Sequence, residues 1–133
     1  ADPALLSDHL KRLFAYGPRR SEADWAEDQA VLAETADAMR AALARHGTLL
    51  LPTAPQTAFA HSATVPANQA DFTCLANVAG LPALSLPAGL SANGLPIGVQ
   101  LIGQPGEETA LFACARALDT ALSAYHPPVA HKE

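Results

Sequence analysis

The residue types that most often carry chemistry are few in this chain and widely spaced. It has two cysteines, Cys74 and Cys114, and histidines at positions 9, 46, 61, 126 and 131. None lies at a metal-ligand spacing from another histidine, cysteine or acid, so the sequence predicts no metal site. His61 falls in a long loop where a site could occur, but a solvated loop residue is the simpler interpretation. Cys74 has no neighbouring base, which favours a packed, reduced thiol over an activated one.

The serines and glycines also lack a known chemical pattern. No serine lies in G-x-S-x-G, and no glycines form G-x-G-x-x-G or a P-loop. Ser85 alternates with leucines in "LSLP", which predicts a small buried strand residue rather than a nucleophile. The sequence therefore predicts no catalytic residue and no cofactor in this chain.

Length and charge exclude several classes of protein. The chain has 133 residues, a formal net charge of −5 and 50% hydrophobic residues, which suits one domain. No basic cluster is present, which argues against nucleic acid or an anionic membrane as partner. The apolar runs are too short for a membrane span. The beginning of the chain does not resemble a signal peptide, and together with reduced cysteines this predicts a cytoplasmic protein.

Helix signals occur in the first and last thirds of the chain. Asp2 and Pro3 predict a first helix start, with Leu6, Leu10 and Leu13 forming one apolar stripe. A second helix is expected from a Ser21–Asp24 capping box to about residue 46, ended by Gly47. Its predicted buried side consists of Trp25, Leu32, Met39 and Leu43. A last helix should begin at Glu107 and Glu108 and extend to about residue 122.

Three short strands are predicted between these helices. "TLLLP" at 48–52 indicates a strand buried on both faces. A loop over 52–70 follows, long enough to be functional or part of an interface, and Asp71 should cap a short helix that ends at Gly80. Strands are expected at 83–86 and 97–102, with a turn at Asn93-Gly94.

A sheet of only three strands would leave two edges unpaired. We therefore expect residues 1–133 to form a single partial domain with a flexible tail at 125–133. Unpaired edges also predict a homodimer as one possible assembly.

A series of spaced motifs resembles the C-terminal part of the amidase signature family. The resemblance rests on "FTCLANVAGLPALSLPAG" and "GLPIGVQLIGQPGEETALFACARALD", and it extends over residues 21 to about 123. The motif positions are Asn77, Gly80, Pro82, Pro87, Gly94, Pro96, Gly98 and Gln100. "TLLLPTAP" at 48–55 is similar to the strand and loop upstream of these motifs in the family.

The resemblance implies an α/β fold, namely the C-terminal portion of the amidase signature fold, with short strands of a mixed sheet flanked by helices. Members hydrolyse amides to acid plus ammonia or amine through a Ser-Ser-Lys triad. This chain has only Lys11 and Lys132 and no Gly/Ser-rich segment, so the triad should lie outside it, in the remainder of an amidase chain. The alternative is a free-standing, non-catalytic binding or assembly module derived from that family.

The resemblance also suggests where a small-molecule amide would contact this chain. Ala70, Cys74 and Asn77 lie at i, i+4 and i+7 and so share one face, and in the family the equivalent helix borders the acyl side of the substrate pocket. For Asn77 a role in tying down neighbouring backbone is the simpler interpretation. Asp71 directly precedes Phe72, whereas glutamine-using relatives have the carboxylate one residue earlier. This offset argues against glutamine as the substrate.

Overall fold

The computed structural model describes residues 5–61, 65–125 and 127. The helices are α1 (Asp8–Phe14), α2 (Glu22–His46), α3 (Thr73–Ala79) and α4 (Glu108–Leu122), with a 3₁₀ turn at Gly17–Arg19. The strands are β1 (Leu49–Pro52), β2 (Ala83–Leu90) and β3 (Pro96–Ile102). Backbone contacts divide the chain into two compact units, Ala1–Glu34 and Thr35–Glu133.

The first unit contains α1 and the beginning of α2. The predicted helix start at Asp2 and Pro3 lies outside the described residues, and α1 begins at Asp8 with the Ser7 hydroxyl accepting from the Leu10 amide at 3.3 Å. The Ser21–Asp24 capping box is confirmed. The Asp24 amide donates to the Ser21 hydroxyl at 3.1 Å, and the Ser21 amide donates to the Asp24 carboxylate at 3.0 Å.

The predicted buried side of α2 is only half right. Leu43 is fully buried and Met39 packs against the core, but Trp25 and Leu32 are exposed. In the last part of α2, within the second unit, Ala36, Met39 and Leu43 pack in the apolar core.

The second unit is built on a three-stranded antiparallel sheet in the order β1-β3-β2. This confirms the α/β class, and both pairings that the chain itself forms are antiparallel. Consecutive residues of the central strand face opposite sides. Ile102 packs with Leu43 and Ala79 on one side, and Leu101 packs with Leu111 and others on the other. Helices therefore cover both faces of β3.

Both edge strands differ from their predictions, β1 in its burial and β2 in its length. β1 alternates between half-buried and exposed residues, with Leu50 55% exposed, so the prediction of burial on both faces is wrong. β2 continues through Pro87 to Leu90 instead of ending at 86. An edge strand tolerates proline because only one side must pair, and an irregularity between Pro87 and Gly89 accommodates the ring.

Helix α3 begins one residue later than its prediction. Phe72, not Asp71, occupies the N-cap position, with a helical backbone and no side-chain cap. The Cys74 amide already donates to Ala70 O at 2.8 Å, so the turn before the helix satisfies one donor that an aspartate cap would serve. Its end is as predicted, because Gly80 adopts a left-handed conformation with φ 65°. The predicted flexible tail at 125–133 lies largely outside the described residues.

Candidate functional site

Gln100 lies at the centre of the second unit, on the middle strand of the sheet. It is the buried polar residue of the described core, with 3% of its surface exposed. Its Nε2 donates to Phe72 O at 2.9 Å and to Pro52 O at 3.2 Å. One carboxamide therefore joins the end of β1, where the long loop begins, to the residue that precedes α3. A buried amide in an apolar core is stable only with such partners.

A polar depression of about 300 Å³ opens beside Gln100. Strands β2 and β3, helix α3 and the residue after β1 contribute its walls, which combine hydroxyl and carboxamide groups with small apolar side chains. The lining residues are Thr53, Thr73, Ala76, Asn77, Leu81, Ala83, Leu84, Ser85 and Gln100. None of these side chains is charged, so the depression can hydrogen-bond a ligand but offers no acid or base.

Two hydroxyl groups form a chain of hydrogen bonds at one side of the depression. The Ser85 hydroxyl donates to Val99 O at 3.2 Å, so the 2.7 Å contact between Thr53 Oγ1 and Ser85 Oγ has Thr53 as its donor. Gly98 allows this arrangement, since a Cβ there would lie 3.0 Å from Thr53 Oγ1 and 3.5 Å from Ser85 Oγ. Ser85 is exposed, so its prediction as a buried residue is wrong. It lies on an edge strand whose face at this point has no cover among the described residues.

Of the four predicted substrate-contacting residues, Asn77 lies at the depression. Its Nδ2 donates to Thr73 O at 3.3 Å, so the side chain also ties down its own helix. Ala70 and Asp71 are exposed in the turns before α3, and Cys74 is half-buried with its thiol 3.5 Å from Asp71 O. These three residues do not line the depression. Their contact with a substrate stays a prediction.

Both cysteines are free thiols, with Cys114 exposed on α4. Over residues 5–61 and 65–125, no three histidines, cysteines or acids come together as metal ligands would. No helix in the described part of the chain is long and apolar enough to cross a membrane. His61 is exposed in the loop, as expected for a solvated residue.

Sequence reasoning did not assign Thr53, Thr73 and Gln100 to a site. A signal for two members of the depression was present, because Ser85 and Gln100 interrupt apolar strands and pair directly across the sheet. Polar residues at paired positions of two apolar strands share one face. Recognising this required the strand register, which the sequence pattern alone left open.

The amidase family model matches residues 3–112, and the chain therefore belongs to the amidase family. The resemblance to amidase signature enzymes is thereby confirmed. A comparison with curated proteins gives no match.

Solved structures of the same family share this fold. A subunit of the glutamyl-tRNA(Gln) amidotransferase from Thermotoga maritima is 34% identical, with a TM-score of 0.70, over 84% of this chain and 25% of that chain. Native peptide amidase from Stenotrophomonas maltophilia is 27% identical, with a TM-score of 0.66, over 98% of this chain and 27% of that chain. A bacterial aryl acylamidase of the amidase signature family matches in fold at 24% identity and a TM-score of 0.69, over 94% of this chain and 30% of that chain. The chain thus spans between 25% and 30% of the length of these three proteins.

Proposed function

We propose that this chain is the C-terminal segment of an amide hydrolase that cleaves carboxamide C–N bonds to acid plus ammonia or amine. The observation that carries the proposal is the family match over residues 3–112. The short share of each related structure that the chain spans is consistent with a segment rather than a whole catalytic domain.

In this proposal the reacting groups lie outside the chain. A Ser-Ser-Lys triad needs a lysine that can exchange a proton with serine hydroxyls. Of the two lysines, Lys11 is near Asp8 at 3.4 Å on exposed α1, and Lys132 is outside the described residues. The polar depression holds hydroxyls and carboxamides without a base. Its groups are suited to positioning a substrate by neutral hydrogen bonds, not to attacking it.

We place the acyl side of the substrate against α3. Asn77 faces the depression, and its carboxamide can both donate to and accept from an amide group. Ala70, Asp71 and Cys74 precede it along the same part of the chain and would border the same substrate. The neutral lining of the depression favours a small neutral amide. A cytoplasmic location stays a prediction from the cysteines and the beginning of the chain.

The test measures ammonia release from a panel of small amides. The 133-residue chain should release none above background, and the full-length product of its gene should hydrolyse at least one amide. Activity of the purified chain that Ser85→Ala abolishes would contradict the placement of the triad. A gene product that contains no Gly/Ser-rich segment and binds amides without hydrolysing them would favour the non-catalytic module instead.

A further inference from the structure

Most side-chain donors that line the polar depression are already used within the protein. The hydroxyl protons of Thr53 and Ser85 lie in the chain of hydrogen bonds described above. The Thr73 hydroxyl donates to Ala70 O at 3.4 Å. Gln100 Nε2 donates to two backbone carbonyl groups, so both of its N–H groups are used. The hydroxyl oxygens keep lone pairs, and they face a bound molecule as acceptors.

The carboxamide of Asn77 has groups left for a ligand. Its atom 3.3 Å from Thr73 O must be Nδ2, because a carbonyl oxygen can only accept a hydrogen bond. In the part of the chain that the structure describes, Oδ1 and the second N–H group of Nδ2 have no other hydrogen-bond partner. Asn77 and Thr73 are exposed, and Thr53 is half-buried, so a small molecule can reach these side chains.

This pattern of donors and acceptors limits the chemistry of the ligand. A molecule in the depression meets several oxygen acceptors and a single free side-chain N–H group. None of the lining residues is charged, so an ion would lose hydration without gaining a counter-charge. A carboxylate cannot donate to the oxygens, and an ammonium group cannot accept from Asn77. A hydroxyl group is neutral, donates one proton and accepts a hydrogen bond, so it matches both requirements.

We propose that the polar depression is a subsite for a neutral hydroxyl group. The hydroxyl oxygen accepts from Asn77 Nδ2, and its proton is donated to an oxygen of the lining. The small apolar side chains of Ala76 and Ala83 leave room for a short aliphatic chain that carries this group. In the enzyme, the acyl part of the amide carries the hydroxyl, which makes amides of hydroxy acids the preferred substrates. This last step rests on the proposed function.

Three probes of nearly equal shape test the subsite. Lactamide carries a hydroxyl group, isobutyramide has a methyl group in its place, and alaninamide has an ammonium group there at about pH 6. Their affinities are measured in the 133-residue chain by ¹H–¹⁵N NMR titration of the backbone amides of Thr53, Thr73, Asn77 and Ser85. Because binding is measured without turnover, the result is independent of whether the full-length protein hydrolyses amides.

Lactamide should bind about fivefold to tenfold more tightly than isobutyramide, as expected for one additional hydrogen bond. It should exceed alaninamide by a similar factor. Asn77→Leu removes both groups of the carboxamide at similar size and should reduce the preference for lactamide to about twofold or less. Asn77→Asp introduces a carboxylate and should make alaninamide the tighter ligand. Asn68→Leu is the matched control, because Asn68 is exposed in the turn before α3 and does not line the depression.

Three results in the 133-residue chain would each overturn the subsite. These are equal affinity for lactamide and isobutyramide, binding of alaninamide as tight as that of lactamide, and an unchanged preference in the Asn77 variants. If Asn77→Leu does not fold, the reversal expected in Asn77→Asp decides the last point.

Ammonia release by the full-length gene product tests the substrate class separately. Lactamide should be hydrolysed at least fivefold faster than isobutyramide at equal concentrations below saturation. Hydrolysis without this preference would refute the assignment to hydroxy acids. Hydrolysis of no amide at all would refute the proposed function, while the binding result still decides the subsite.

Discussion

At the scale of single residues, the carboxamide of Gln100 fixes the geometry of the candidate site. It holds two backbone carbonyl groups that are 20 positions apart in sequence, at Pro52 and Phe72. The loop that contains Gln56 begins at the first of these groups, and α3 with Asn77 begins after the second. The site therefore depends on a buried residue whose amide nitrogen bonds to the backbone on both sides.

Replacing Gln100 by Met should lower the stability of the chain without changing the volume of its core. Both hydrogen bonds are lost and their acceptors remain, so the free energy of unfolding should fall by about 2 kcal/mol. Gln104→Met removes a single 3.4 Å bond to Leu43 O and should cost only about 0.5 kcal/mol. Urea denaturation of both variants measures the difference. Equal losses would show that Gln100 has no special role in joining β1 to α3.

A second prediction at this scale concerns Cys74, and it rests on the proposed function. In the full-length enzyme, Cys74→Phe should narrow the acyl side of the pocket and slow large acyl amides at least tenfold relative to small ones. Cys114→Phe is the control, because Cys114 is exposed on α4. Relative rates across acyl sizes that stay unchanged, or unfolding of the variant, would show that Cys74 does not line the pocket.

At the scale of elements, local hydrogen-bonding signals were more informative than apolar patterns. The capping box at Ser21 and Asp24 and the glycine at the end of α3 are in the predicted places, because their bonds involve residues close in sequence. The burial of Trp25 and of β1 was predicted wrongly, since burial depends on which distant surface covers an element. The Asp71 cap does not form, and the Cys74 amide that it would serve donates to Ala70 O instead.

The capping box should make the first turn of α2 sensitive to acid. Hydrogen bonds from the Ser21 backbone amide and hydroxyl lower the pKa of Asp24 below its ordinary value of 3.8. The charged Asp24 carboxylate therefore contributes fully to the stability of this turn above pH 3.8. That contribution is lost as the pH falls through the lower pKa of the folded state. Carboxyl titration by NMR should show this low pKa in the native chain.

The matched variant isolates this effect from the titration of other acids. Asp24→Asn should reduce the helical circular dichroism signal at pH 5, and its difference from the parent chain should shrink between pH 4 and pH 2. Glu27→Gln, on an exposed residue of the same helix, should not produce a difference with this pH dependence. An Asp24 carboxyl that titrates at or above 3.8 would contradict the argument.

At the scale of the whole molecule, the sequence motifs predicted the family and the α/β class, and the family match and solved structures confirmed both. The sequence motifs did not predict the polar depression. Its members come from the loop after β1, from α3 and from β2 and β3, and only the antiparallel register brings Ser85 opposite Gln100. That register is set by contacts between residues distant in sequence, which no local pattern contains.

The two edges of the sheet lead to the last prediction. Within the part of the chain that the structure describes, β1 and β2 each pair with β3 on one side only, and Leu50 and Leu90 on these strands are 55% and 51% exposed. Unpaired strands with exposed apolar residues tend to pair with another chain, so we expect the 133-residue chain to form a homodimer through them.

Light scattering should show the mass rising with concentration from 13.8 kDa toward twice that value. Lysine on an edge strand opposes such pairing, so Leu50→Lys or Leu90→Lys should shift the chain toward monomer. Leu32→Lys, the same change on an exposed residue of α2, should not. A monomer at every concentration would refute strand pairing, and a dimer that neither edge variant weakens would place the interface elsewhere.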